Sequence, residues 1–282
     1  MASPSEREKT VSRERIYRHR VPVRLGHWIN VFCMAILLMS GLQIFNAHPA
    51  LYWGSRSRFD DPVLQLAANR DAAGQPHGIT TVFGYSVDTT GVLGLSADGS
   101  GAATARGFPS WATIPGPQWL AMGRRWHFFF AWLFVVNGAL YLLWSMLSGH
   151  LHRDLLPSRR EAGHIGRSLW DHLRFRFPRG EAAKRYNVLQ KLAYLIVVFG
   201  VVPVLILAGL AMSPRLDAGY PFLPALFGGR QSARTIHFVC AFALVLFTLI
   251  HVAMVLVSGV WNNLRSMVTG RYVITEGKGR VE

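Results

Sequence analysis

Four stretches without a single Asp, Glu, Lys or Arg, residues 28–45, 126–147, 192–212 and 236–258, set the limits on how this chain can fold. A hydrocarbon core about 30 Å thick is crossed by roughly 20 helical residues, with about 17 as the lower limit, so all four can span a membrane and the first is the shortest. A helix satisfies its own backbone in lipid, which an isolated strand cannot do. The expected fold is therefore an all-α membrane protein, a four-transmembrane-helix bundle forming one domain over residues 1–282. Composition agrees, since 16% charged residues lies below the quarter or so usual in soluble domains.

The net charge of +15 is explained by topology rather than by nucleic acid, because no zinc-finger, RNP-like or basic-zipper pattern accompanies it. Of the 30 Lys and Arg residues, 21 lie in the N-terminal tail, the connection 148–191 and the C-terminal tail, and nine lie in the other two connections. The positive-inside bias then puts both termini on the cytoplasmic side of the membrane. The first block, preceded by a 27-residue polar lead with no clear cleavage site after it, reads as a retained anchor. The connection 46–125 becomes periplasmic. Rich in Gly, Ser, Thr and Pro, it reads as a long surface loop without regular structure, with Trp53, Phe59, Phe83, Tyr85 and Trp111 to anchor it. His150, His152, His164 and His172 in the cytoplasmic connection fit no zinc spacing and read as solvated basic residues. Cys33 and Cys240 lie in apolar blocks outside any Cys-x-x-Cys-His motif, so covalent haem attachment is not expected.

Only His27, His127, His237 and His251 of the eleven histidines lie in or at the edge of the apolar blocks. His237 and His251 share the last helix, and a spacing of 14 residues brings them within roughly 40° on one face and about 21 Å apart along the axis. Two imidazoles at two depths suit two planar haems, each needing a second axial ligand from another helix. Topology supplies the partners: His127 with His237 on the outer side, and His27 with His251 on the inner side. Iron held by two imidazoles has no open position and serves electron transfer.

Arg24, Arg124 and Arg234 each precede a candidate ligand by three residues, one helical turn, where a guanidinium can pair with a haem propionate. Gly41, 14 residues after His27, and Gly138, 11 after His127, return to the faces of those ligands and would let backbone approach a haem edge.

The motifs Arg-Leu-Gly-His-Trp at 24–28, Arg-Arg-Trp-His-Phe at 124–128 and Ile236-His237 through His251 resemble the bacterial cytochrome b561 and nickel-iron hydrogenase B-type cytochrome family. That family includes the cytochrome b subunits of formate dehydrogenase and thiosulfate reductase. The resemblance implies a subunit with two haem b groups that exchanges electrons between menaquinone or ubiquinone and a partner redox enzyme. His27, His127, His237 and His251 match the family's ligand positions one by one. The expected partner is a periplasmic oxidoreductase, of the molybdenum-containing kind, docking on residues 108–118 and 213–231. Asn30, Gln43, Asn137 and the stretch 164–176 are the polar candidates for meeting quinone. Two other functions fit a four-helix chain with paired histidines: a haem-free anchor for a periplasmic enzyme, and a histidine-based transition-metal transporter. The transporter usually needs acidic or thiolate partners, and none of the four blocks contains Asp or Glu.

Overall fold

The computed structural model describes residues 12–156, 166 and 188–276. Among the described residues, four helices are long and apolar enough to cross a membrane: α1 (Val21–Phe45), α2 (Leu120–Leu147), α3 (Val188–Ala211) and α6 (Arg230–Val257). Shorter α-helices among the described residues include α4 (Pro214–Gly219), α5 (Phe222–Leu226) and α7 (Val260–Thr269). The long helices outrun their apolar blocks at the N-terminal ends of α1, α2 and α6, where each gains a turn bearing Arg24, Arg124 or Arg234. Arginine is a good helix former whose stem lies along apolar surface while its head seeks polar partners, so the uncharged run understates the helix.

A π-helical turn, Val197–Val201, interrupts α3. Pro203 follows it, lacking the N–H that would bond four residues back and crowding that carbonyl, and the wider turn absorbs the missing bond.

Contacts divide the molecule into two compact units. The first comprises Met1–His27, Tyr141–Leu195 and Thr248–Glu282. Within it β1 (Ser12–Tyr17) pairs antiparallel with β8 (Arg271–Glu276). Gly270, at φ +80°, ends α7 and turns the chain into β8.

The second unit comprises Trp28–Leu140 and Ile196–Phe247. Here the connection read as an unstructured loop is instead built from six short strands. Four form an antiparallel sheet in the order β2 (Ala50–Leu51), β3 (Leu64–Arg70), β4 (Pro76–Val82) and β5 (Tyr85–Asp88), and β6 (Gly94–Ala97) pairs with β7 (Ala103–Arg106).

Turn chemistry explains the strands. Asp71 accepts hydrogen bonds from the Ala73 and Gln75 N–H groups, and Asp98 does the same for Ser100 and Ala102. Each is followed three residues later by a glycine at positive φ, Gly74 and Gly101, so one Asp-x-x-Gly device closes two hairpins. Strands of two to seven residues show too little alternation to stand out from loop composition. Gly94, at φ +77°, brings its backbone against the Ala67 carbonyl, an approach that any side chain would block. The sheet meets the helices through Phe45, Leu51 and Leu66, against which Phe108 and Phe238 pack.

Candidate functional site

The helix ends place the four histidines at matching depths. His27 lies six residues after Val21 and His251 six before Val257, each about 9 Å from its helix end at 1.5 Å per residue. His127 and His237 each lie seven residues after the first residue of α2 and α6. Measured from the apolar blocks alone, His27 is too shallow for His251. The extra turns at the start of α1 remove that mismatch.

The histidines meet in two pairs, one in each unit. In the first, the rings of His27 and His251 have centroids 6.3 Å apart with planes inclined by 55°. In the second, His127 and His237 are 6.2 Å apart and inclined by 63°. Two imidazoles bound on opposite sides of one metal through bonds of about 2.0 Å would have centroids about 6.3 Å apart. Both pairs therefore have the spacing of a bis-imidazole haem site, and their residues fit that cofactor.

The surroundings of the second pair fit it further. The His127 Nδ1 lies 3.1 Å from the Ser40 hydroxyl, and the His237 Nδ1 is 2.8 Å from the Leu205 carbonyl oxygen. With Nδ1 engaged on both rings, Nε2 is the nitrogen available to a metal. Gly41 backs onto His127: a Cβ there would lie 3.4 Å from the ring's Cε1. Gly209 of α3 is tighter still, since a Cβ would come within 3.1 Å of both Cε1 and Nδ1 of His237. Gly138 faces open space, with nothing within 4 Å of where a Cβ would lie.

Sequence reasoning missed Ser40, Leu205 and Gly209. A backbone carbonyl carries no sequence signal, and a serine or glycine in an apolar helix reads as ordinary packing.

In the first unit, His19 was also missed because it precedes the apolar block. It is only 8% exposed, and burial, followed by the charges of Arg18, His27, His150 and Arg24, holds its pKa down at about 4. His150, read as solvated, is half-buried with its ring 5.3 Å from Trp144, whereas His152 is exposed. His164, His172 and most of the stretch 164–176 lie outside the described residues.

The three arginines differ in their surroundings. Arg24 donates to the Val268 carbonyl, and Arg234 donates to the His48 carbonyl while its guanidinium lies 5.3 Å from the Phe45 ring centre. Arg124 lies over Phe128 at 5.5 Å. A guanidinium has five N–H donors, so one arm on a carbonyl leaves others for an anion. Of the polar candidates for quinone, Asn137 donates to Asn30 at 2.8 Å, and Gln43 is 2% exposed with its amide donated to the Pro117 carbonyl at 3.0 Å. Gln43 is thus turned into protein rather than towards lipid.

Among the described residues, no group of three or more His, Cys, Asp and Glu side chains could hold a metal ion. A bare transition-metal ion usually takes four or more ligands, whereas a porphyrin brings four nitrogens and asks the protein for one on each face.

The sequence pattern described as prokaryotic cytochrome b561 matches residues 89–270. A relative in Azospira oryzae, named putative protein-methionine-sulfoxide reductase subunit YedZ1, is 28% identical over 245 residues, covering 87% of this chain and 93% of its own length. No solved structure gives a significant match. The chain belongs to the prokaryotic cytochrome b561 family, and is a multi-pass inner-membrane, haem b electron-transfer protein.

Proposed function

We propose that the chain holds two haem b groups, one between His27 and His251 and one between His127 and His237, and passes electrons between membrane quinone and a periplasmic oxidoreductase. The observation that carries this reading is the pair of imidazole spacings, 6.3 and 6.2 Å, each matching a site with one metal between two rings.

When bound, each haem supplies a one-electron couple. The protein's part is to hold that couple in place. Ser40 and the Leu205 carbonyl fix the ring orientations of His127 and His237, and the missing side chains of Gly41 and Gly209 leave room beside them. Arg24, Arg124 and Arg234 stand one turn from His27, His127 and His237, where a spare guanidinium arm can neutralise a propionate.

The distribution of Lys and Arg supports cytoplasmic termini, which put the His127–His237 pair on the periplasmic side with the connection 46–125. Menaquinone or ubiquinone is the lipid-soluble carrier and the partner is a periplasmic catalytic subunit, of the molybdenum-containing kind. The name of the Azospira relative supports a partner that acts on oxidised methionine side chains. The docking face for that partner is residues 213–231, which include α4 and α5.

Reduced-minus-oxidised spectra of the chain in lipid nanodiscs, followed by addition of a soluble quinol, test this reading. The expected result is b-type bands that the quinol develops without dithionite. Absence of b-type bands contradicts the haem assignment, and bands that dithionite develops but quinol does not contradict the quinone assignment.

A further inference from the structure

We propose that residues 108–117 form a re-entrant wedge that enters the lipid beside α1, with the Trp111 ring seated in the headgroup boundary of the membrane.

Depth is the first observation. The Ile114 N–H donates to the Met39 carbonyl at 3.2 Å, and the Gln43 amide donates to the Pro117 carbonyl at 3.0 Å. Met39 is six residues before Phe45, so the chain that left α1 at its end returns to a level about 9 Å inside it.

The second observation is charge. No charged residue occurs from Gly107 to Gly123, although Arg106 and Arg124 flank the stretch. Elsewhere in the same connection Asp71 and Asp98 sit in the exposed hairpin turns.

The third observation is the backbone. Irregular chain is tolerated at membrane depth only where its polar groups are satisfied by protein. Pro109, Pro115 and Pro117 have no N–H to satisfy. The Phe108 N–H goes to the Asn46 side chain at 2.7 Å, and the Ala112 and Thr113 N–H groups go to carbonyls within the segment. Buried Arg106 reaches in to donate to the Phe108 and Gly116 carbonyls at 2.7 and 3.1 Å. The segment therefore makes few demands on water. Trp111, 78% exposed, is left presenting an apolar ring with a single N–H donor, the side chain most suited to the membrane boundary. Lipid, rather than the partner subunit, is thus the expected neighbour of this part of the 108–118 stretch.

The test is independent of haem. A nitroxide is attached at Trp111→Cys, and for comparison at Ala73→Cys in the β3–β4 turn, in the full chain with Cys33→Ala and Cys240→Ala, reconstituted in nanodiscs. Relaxation by oxygen, which partitions into lipid, is compared with relaxation by a water-soluble nickel chelate. The wedge predicts an oxygen-to-nickel ratio several-fold higher at position 111 than at 73. Equal ratios would overturn it by placing Trp111 in water, and shielding from both relaxants would overturn it by placing Trp111 against protein. A photoreactive phenylalanine analogue at position 111, in the chain with its native cysteines, gives a second reading: lipid adducts are expected, and protein adducts alone would contradict the proposal.

Discussion

Arg106 is 3% exposed and donates to the Phe108 and Gly116 carbonyls and to the Thr113 hydroxyl, so a single cation fastens the end of β7 to the segment leading into α2. Arg106→Met should remove these three hydrogen bonds, leaving the Phe108 carbonyl to the Asn46 amide alone, at a cost of about 1–3 kcal/mol. Thermal unfolding in detergent measures this, and an unchanged midpoint would mean that Arg106 does not fasten the segment. Gly209 sits so close to His237 that Gly209→Val should displace the ring, lowering haem content at that site and leaving the His27–His251 site filled. Equal loss from both sites would argue against this local role. At this scale the four histidines were legible because helical periodicity and apolar context marked them together. Ser40 and Gly209 were not, since their role depends on which helix faces them, and the Leu205 carbonyl belongs to no side chain.

The elements show where pattern reading has force and where it fades. Long uncharged runs declared the four membrane helices, because lipid leaves the backbone few alternatives. Their ends were hidden by Arg24, Arg124 and Arg234, which are charged yet helical. The six strands between α1 and α2 were hidden by their shortness, although the repeated Asp-x-x-Gly turns offered a signal that composition obscured. One of those turns also carries a pH response. His77 lies 2.9 Å from Asp88 and 3.3 Å from Asp71, and the hydrogen bond to Asp88, then that to Asp71, raises its pKa above the usual 6.5. Its contribution is complete below 6.5 and is lost as pH rises through the raised value. Asp88 is lowered to about 2, chiefly by hydrogen bonds from Thr90 and then His77, so its contribution is present above 3.8 and is lost as pH falls towards 2. Hydrogen exchange of the β4 and β5 amides, corrected for intrinsic rate, should therefore quicken as pH rises through the His77 titration. His77→Gln should remove that dependence. A profile identical in the two proteins would contradict the assignment. At the start of α6, a staple ties backbone to helix. The Gly54 carbonyl accepts the Gln231 and Ser232 N–H groups, and the Ser232 hydroxyl accepts the Gly54 N–H at 2.7 Å. Gly229, at φ +121°, lies against Gly54 where a methyl group would meet backbone. Gly229→Ala should cost about 1–3 kcal/mol through strain and overpacking, read as a lower unfolding temperature. No change would show that the staple can shift without penalty.

For the whole molecule, the central claim is that one chain carries two separate electron-transfer sites. Their histidines fall in different compact units, each pair with the spacing of one metal between two rings. α6 supplies one histidine to each pair, His237 and His251, 14 residues apart in its sequence. The most direct measurement is the haem-to-chain ratio of the purified protein and of His251→Ala, obtained from haem extracted and quantified against protein. The account predicts two haems per chain in the wild type and one in the variant, the remaining site keeping its b-type spectrum. A ratio of one in both proteins, or complete loss of haem from a variant that remains folded, would contradict two independent bis-histidine sites.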